Sequence, residues 1–491
     1  MVDKARELKR QKRVTTDELC TDAVPSTRED WGPLGFYLTQ LKPALATHNV
    51  HTKSLQDLLE GPFSQCLLTN YMFDLPWLFT ECPRLRQVPV LLVHGERDRN
   101  GMMKECRKYA NVTPVAPPLP IPYGTHHAKM LITLYSEKVR VAIFTANFLS
   151  NDWHSKTQGV WYQDFGLKVL CDCNDEDQED KAAAKNIGGV DFEDDLVRYL
   201  SSLGEHVRRF CKELQRFDFS TATVALVPSV PGVHKGNDME KYGHLRVRNL
   251  LKMCKIPRTD NPLICQFSSL GSIDEKWLFG EFAASFLPGK KNVSPTSMPV
   301  QALHIIWPSV KDVQNSLEGW NAGRSIPCAL KNMKPFLHKY LRKWAPPPAL
   351  HRQNAMPHIK SYVRFNPSKE ESGELDWAIL TSSNLSKAAW GTLQKNNSQF
   401  MIRSYELGVM FLPPVLARQN RDGALPRLVT IGSKAAERSS AVTSRNSSTE
   451  LLLTLPYDFP LISYDPKNDE PWVWDLARES PDIFGNIYMP H

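Results

Sequence analysis

One pattern occurs twice in these 491 residues, 231 positions apart. His127-Ala-Lys129 is followed by an apolar run, a turn at Ser136-Glu137-Lys138, a second apolar run and Thr145-Ala-Asn147. His358-Ile-Lys360 is followed by Ser361 to Phe365, a polar loop from Asn366 to Asp376, and a run ending Thr381-Ser-Ser-Asn384. The His-to-Asn spacing is 20 in the first copy and 26 in the second, and the longer second loop fits the difference. In an extended backbone, residues i and i+2 share a face, so each histidine sits beside its lysine. The hairpin that follows returns the asparagine to the end where the histidine began. Such a repeat constrains the chain to two like halves, and two half-sites suggest one phosphate site.

Length agrees, because 491 residues exceed what one core usually holds. The expected layout is a basic tail over residues 1–30, a first domain over 31–217 and a second over 218–491. Buried strands are expected at Val88 to Gly95, in TATVALVPSV before Pro231, in Pro262 to Ser272 and in Ala302 to Ser309. Helices are expected over Asp194 to Phe217 and Gly271 to Leu287. Strands and helices interleave in both halves, which predicts an α/β fold with a sandwich in each. The proline-rich Pro114 to Pro122 reads as an extended approach to the first motif, and Gly432 to Thr449 as an exposed loop.

Composition excludes several classes. With 42% hydrophobic and 23% charged residues, the chain is globular rather than disordered. No apolar stretch approaches the roughly 20 residues needed to span a bilayer, and the N-terminus lacks an apolar signal core. Ten scattered cysteines, without a repeated zinc spacing, read as reduced thiols of an intracellular protein. Lys4 to Arg13 is strongly basic, fitting a nuclear address, a nucleic-acid arm or a solvated tail. Asp172 to Asp180 and Asp191 to Asp195 are acidic and read as surface insertion, without the ligand spacing of a calcium loop.

Cleaving a phosphodiester needs a nucleophile, an acid for the leaving oxygen and positive charge around the phosphoryl oxygens. Histidine can serve in either of the first two roles, since its pKa lies near neutrality. Two lysines and two asparagines supply the clamp, so no metal and no cofactor is expected. Alternation turns His126 away from the site that His127 enters.

The segments YGTHHAKM (123–130), DWHSKTQGVW (152–161), PHIKSY (357–362), SNLSKAAWG (383–391), RSYELGV (403–409) and GNIYMP (485–490) resemble the tyrosyl-DNA phosphodiesterases, a branch of the phospholipase D superfamily. Phospholipase relatives usually carry an aspartate five residues after the motif lysine. Here those positions are Leu134 and Phe365, as in the tyrosyl-DNA branch.

The resemblance implies two α-β-α sandwich domains related by a pseudo-two-fold axis, with the active site at their interface. It implies His127 as nucleophile, forming a phosphohistidine, and His358 as acid and then base. Lys129, Lys360, Asn147 and Asn384 would bind the phosphoryl oxygens, while Glu406 would hold His127 and Gln158 would hold His358. On the DNA side it implies Tyr123, Ser268, Ser269, Ser272, Ser386 and Lys387. On the peptide side it implies Tyr71 and Tyr488, the latter at a position where the family commonly has Trp.

The activity so implied is hydrolysis of the bond between a DNA 3′-phosphate and a tyrosine, or another 3′ blocking group, leaving a 3′-phosphate. Its partners would be single-stranded or frayed DNA 3′ ends and a topoisomerase I-derived tyrosyl peptide, with no membrane. A nuclear monomer is expected, with cytoplasmic presence also compatible. The alternatives are a catalytically silent DNA-end-binding scaffold and a phospholipase D-type nuclease or phospholipase.

Overall fold

The computed structural model describes residues 35–490 apart from 43, 46–47, 170–189, 288–296, 369–372, 420–423 and 431–449. The apolar runs pair into two large sheets. The first draws on β1 (Tyr37–Thr39), β2 (Thr52–Lys53), β3 (Gln65–Asn70), β4 (Val90–His94), β5 (Val112–Val115), β6 (Met130–Leu134), β7 (Lys138–Phe144) and β8 (Gly159–Gly166). The second draws on β9 (Ala225–Ser229), β11 (Leu263–Gln266), β12 (Leu303–Ile306), β13 (Leu341–Arg342), β14 (Ser361–Phe365), β15 (Glu374–Thr381) and β18 (Glu406–Phe411). A small sheet of β10 (Gly232–Lys235), β16 (Thr392–Gln394) and β17 (Gln399–Ile402) lies apart, and β19 (Arg427–Thr430) with β20 (Glu450–Leu453) extends from β15.

The strand orders are β2-β1-β8-β7-β6-β3-β4-β5 and β13-β12-β11-β14-β15-β18-β9. Matching β6 to β14 makes seven strands correspond in order and in sense. The β3-β4-β5 and β11-β12-β13 sets are parallel, and the other pairings among the seven matched strands of each half are antiparallel. The duplication announced by two short motifs therefore extends to whole sheets.

Residues of β4, β6, β11 and β14 are buried along their full length. Such strands lie in sheets covered on both faces, so β4, β6 and β11 appear as largely apolar runs, while β14 also buries Ser361 and Arg364. Met130, Ile132 and Leu134 enter a core shared with the second half, while Leu131 enters a cluster with Leu55, Phe63, Leu78 and Phe79. Each fully buried side chain of this size contributes about 1.5–3 kcal/mol, so the shared core holds the halves together strongly.

The structure departs from the expected helix over Asp194 to Phe217. Two helices occur instead, α1 (Phe192–Ser201) and α2 (Glu205–Leu214), separated at Gly204, whose φ of +126° lies in a region that side chains rarely adopt. The acidic block at Asp191 to Asp195 is not a surface insertion. Asp191 caps α1, and buried Asp195 pairs with Arg198 and Arg246. The segment Trp277–Ala283 is helical with π geometry and continues through Phe286. The tail, Asp172 to Asp180 and Gly432 to Thr449 lie outside the described residues. No described helix is long and apolar enough to cross a membrane.

The halves meet through two equivalent parallel bridges, His126 to Tyr405 and Thr157 to Pro357. At the first, His127 N–H donates to Tyr405 O at 2.9 Å; at the second, His358 N–H donates to Thr157 O at 2.9 Å. Each motif histidine is thus anchored to the opposite half.

Candidate active site

Both His-x-Lys triplets stand immediately before a strand, β6 or β14, rather than within it. The backbone is extended enough for alternation to hold: His126 is fully buried beside Thr69, whereas His127 keeps access to the site. Lys129 Nζ donates to His127 O at 2.7 Å, and Lys360 Nζ donates to His358 O in the same way. Asn147 and Asn384 each follow the strand paired with the motif strand, as the hairpin argument required.

The imidazoles are held across the interface by unequal partners. His127 Nδ1 lies 3.0 Å from Oε2 of Glu406, the first residue of β18. His358 Nδ1 lies 3.1 Å from Oε1 and 3.0 Å from Nε2 of Gln158, which immediately precedes β8. Strand pairing places Gln158 and Glu406 at equivalent points of the two sheets. Thr145 and Ser382, also equivalent, fix these partners. Thr145 Oγ1 donates to Gln158 Oε1 at 2.8 Å and accepts Gly159 N–H at 2.9 Å. Ser382 Oγ donates to Glu406 Oε2 at 2.5 Å and accepts Leu407 N–H at 3.0 Å.

This difference sets the chemistry of each ring. A carboxylate only accepts, so Glu406 favours the proton on Nδ1 of His127 and leaves a lone pair on Nε2. An amide offers both a donor and an acceptor, so Gln158 can serve Nδ1 of His358 with or without its proton. Burial lowers the pKa of His127, Glu406 opposes that, and Lys129 adds to the depression. His358 is driven well below the ordinary range by burial first, then by Lys360, Lys129, Lys156 and His127. Burial also brings Lys129 down to about 8 and Lys360 well below its usual value. An anionic phosphoryl group would restore both ammonium charges.

Asn384 Oδ1 accepts the Ser268 N–H at 3.1 Å, so its Nδ2 remains free of that contact. Asn147 is held by the opposite end, with its N–H and Nδ2 both donating to Asp152 Oδ2 at 2.8 Å. Asp152 lies in the quoted segment 152–161, yet spacing alone gave no reason to single it out. Thr145 and Ser382 were missed likewise, because their partners become visible only once the strands are paired.

Residues 35–465 match the sequence profile described as tyrosyl-DNA phosphodiesterase. The chain belongs to this family. It is 40% identical over 468 residues to the tyrosyl-DNA phosphodiesterase 1 of Arabidopsis thaliana, covering 90% of this chain and 74% of that protein. A probable tyrosyl-DNA phosphodiesterase of Caenorhabditis elegans is 33% identical, covering 86% of this chain and 84% of that protein. A crystal structure of the yeast tyrosyl-DNA phosphodiesterase superposes with a TM-score of 0.64 at 19% identity, covering 91% of this chain and 100% of that chain, a likeness of fold.

Around this tyrosyl-DNA phosphodiesterase site the remaining expected residues fall unevenly. Tyr71 is close to the centre, its ring 5.6 Å from that of His127 and 6.0 Å from Lys129 Nζ. Tyr123 is 94% exposed with φ of +62°, on a loop pinned by Arg403, whose guanidinium donates to Pro122 O at 2.9 Å. Ser269 is half-buried and Ser272 exposed, flanking Gly271, where a Cβ would lie 2.8 Å from Ser386 Cβ; Ser386 caps the short helix Lys387–Trp390. Lys387 is engaged by the carboxylate of Asp274.

Ser268 is 2% exposed and its N–H holds Asn384, a burial shared with Lys129 and Lys360 at the centre of the site. Tyr488 is 5% exposed, packed against Trp472 and Trp320 with its hydroxyl donating to Trp474 O at 2.7 Å. No group of three or more His, Cys, Asp or Glu side chains suited to a metal ion occurs among the described residues.

Proposed function

We propose that this chain removes tyrosyl peptides, such as those left by topoisomerase I, and other blocking groups from the 3′ ends of single-stranded or frayed DNA. The observation that carries this reading is the crossed pairing of Glu406 with His127 and Gln158 with His358. His127 Nε2 attacks phosphorus, the bond from phosphorus to the tyrosine oxygen breaks, and His358 gives that oxygen a proton. His358 then takes a proton from water as its oxygen attacks phosphorus, the phosphorus–nitrogen bond breaks, and a 3′-phosphate leaves. Splitting the displacement in this way lets one site serve both steps. Lys129, Lys360, Asn147 and Asn384 hold the phosphoryl oxygens, where negative charge must be stabilised.

Cleavage at a terminus makes this an exonuclease-type reaction, with no base flipping needed. Exposed Tyr123 suits stacking on a base, and the serines and Lys387 suit backbone contact, a combination that carries little sequence information. The enzyme works as a monomer, because both halves of the site are in one chain. The basic Lys4 to Arg13 segment and the DNA substrate support a nuclear location.

A 3′-phosphotyrosyl oligonucleotide in excess chelator should be converted to the 3′-phosphate. If it stayed intact while phosphatidylcholine or unmodified DNA was cleaved, the assignment would fail. His127→Ala should abolish covalent adduct. With an aryl leaving group that needs little protonation, His358→Asn should accumulate adduct on a denaturing gel, and no adduct would sink the two-step scheme.

A further inference from the structure

The two halves hold their asparagines by opposite ends, and Asp152 causes the difference. Its Oδ2 accepts both the Asn147 N–H and Nδ2, while in the second half a backbone N–H, that of Ser268, grips Oδ1 of Asn384. An ionised carboxylate can only accept, so it dictates which end of the Asn147 amide faces it. Oδ1 of Asn147 is consequently left buried without a hydrogen-bond partner. Nδ2 keeps its second hydrogen for a phosphoryl oxygen, while the unpartnered Oδ1 suits a water molecule that must offer a hydrogen.

Asp152 is itself 2% exposed, on the short helix Ser150–His154, and its Oδ2 lies 3.7 Å from Nδ1 of His358. Its Oδ1 is 3.3 Å from Nζ of buried Lys156, whose Nζ is also 2.9 Å from Glu318 Oε1 of the second half. The charged and titratable groups acting on His358 are Lys360, Lys129, Lys156 and His127, all of which disfavour its protonation. Asp152 opposes them. The equivalent position in the second half is Ala389, and the carboxylate beside His127 is instead Glu406, 3.0 Å from its Nδ1. The asymmetry falls on the histidine that must gain and lose a proton.

We propose that Asp152 is a positioning residue for the release step, fixing Asn147 so that its Oδ1 orients the attacking water beside His358. The inference rests on the two-step reading above. In that scheme the water gives one hydrogen to His358 as its oxygen bonds to phosphorus, and directs the other to Asn147 Oδ1. The adduct's phosphorus–nitrogen bond breaks, and His127 is restored.

The test follows formation and decay of the protein–DNA adduct separately, with an aryl-phosphodiester oligonucleotide in rapid-quench experiments. Asp152→Ala should slow decay by about ten- to a hundredfold, the size of effect seen when partners orienting a functional imidazole are removed. Formation should change by less than about threefold, within the scatter of single-interaction effects. Asp152→Glu should recover part of the decay rate. Asp152→Asn keeps the shape, so it carries the same prediction where the alanine variant fails to fold. Equal losses in both steps, or an unchanged decay, would overturn the proposal. Failure of His358→Asn to trap any adduct would instead remove the two-step reading, and this inference with it.

Discussion

Glu406 and Gln158 differ in little more than a carboxylate against an amide, yet only the carboxylate brings a charge that favours protonation of the ring it holds. Around them, Lys129 shows what burial does to a cation near a site awaiting an anion: its pKa falls to about 8. The sign of the consequence is clear. An empty site holds Lys129 partly neutral at pH 8, and a bound phosphate dianion favours the ammonium form, so binding draws protons from solution. Calorimetry of 3′-phosphate oligonucleotide binding at pH 8, in buffers of different ionisation enthalpy, should show net proton uptake, and Lys129→Met should reduce it. The same depression makes stability depend on pH. Between about 8 and the ordinary lysine value of 10.5 the unfolded chain binds more protons, so Lys129 adds to stability as pH rises through that window.

At the scale of elements, the start of β8 is the most demanding stretch, because Gln158 must reach His358 while the backbone abuts the other half. A Cβ at Gly159 would lie 2.5 Å from Leu380 Cδ1 and 2.8 Å from Ile359 Cδ1. Gly159→Ala should cost about 1–3 kcal/mol as an overpacking change. It should also slow turnover by displacing Gln158. Gly166→Ala, at the far end of β8 with nothing within 4 Å, should leave thermal unfolding and turnover unchanged. The sequence revealed β4, β6 and β11 well, because strands buried on both faces are written as largely apolar runs. It concealed the break at Gly204, where α1 and α2 share one amphipathic pattern and only a positive φ separates them. The hairpins after His127 and His358 were legible for a local reason: residue spacing fixes which end of a strand pair the asparagine reaches. Partnerships between the halves, such as Thr145 with Gln158, Ser382 with Glu406 and Asp152 with His358, depend on how the sheets meet, and no spacing encodes that.

For the molecule as a whole, the proposed mode of DNA binding rests on charge and stacking. Lys387 is occupied by Asp274, whose other oxygen accepts Trp277 N–H at 2.9 Å as a helix cap. Asp274→Asn keeps a capping oxygen and frees the lysine, so single-stranded DNA should bind more tightly. Fluorescence anisotropy with labelled oligonucleotides checks this. The logarithm of affinity should fall linearly with the logarithm of salt concentration, by about 0.7 per phosphate contacted on a single strand. The slope should be steeper for Asp274→Asn and the same for unrelated sequences. A tightening confined to one sequence would contradict backbone recognition.

The bridges that tie His127 to Tyr405 and His358 to Thr157 give the joining of the halves a purpose beyond stability. Suppose each half were a separate chain, and two identical copies paired across the same axis. Any residue placed at position 158 would then also stand at position 406, and both imidazoles would face the same partner. Nothing in either copy could mark one ring to attack and the other to shuttle the proton. A continuous chain is free of that constraint, and here an amide stands on one side of the axis with a carboxylate on the other. A built-in difference between the partners of the two histidines is therefore something that fusion permits and perfect symmetry forbids.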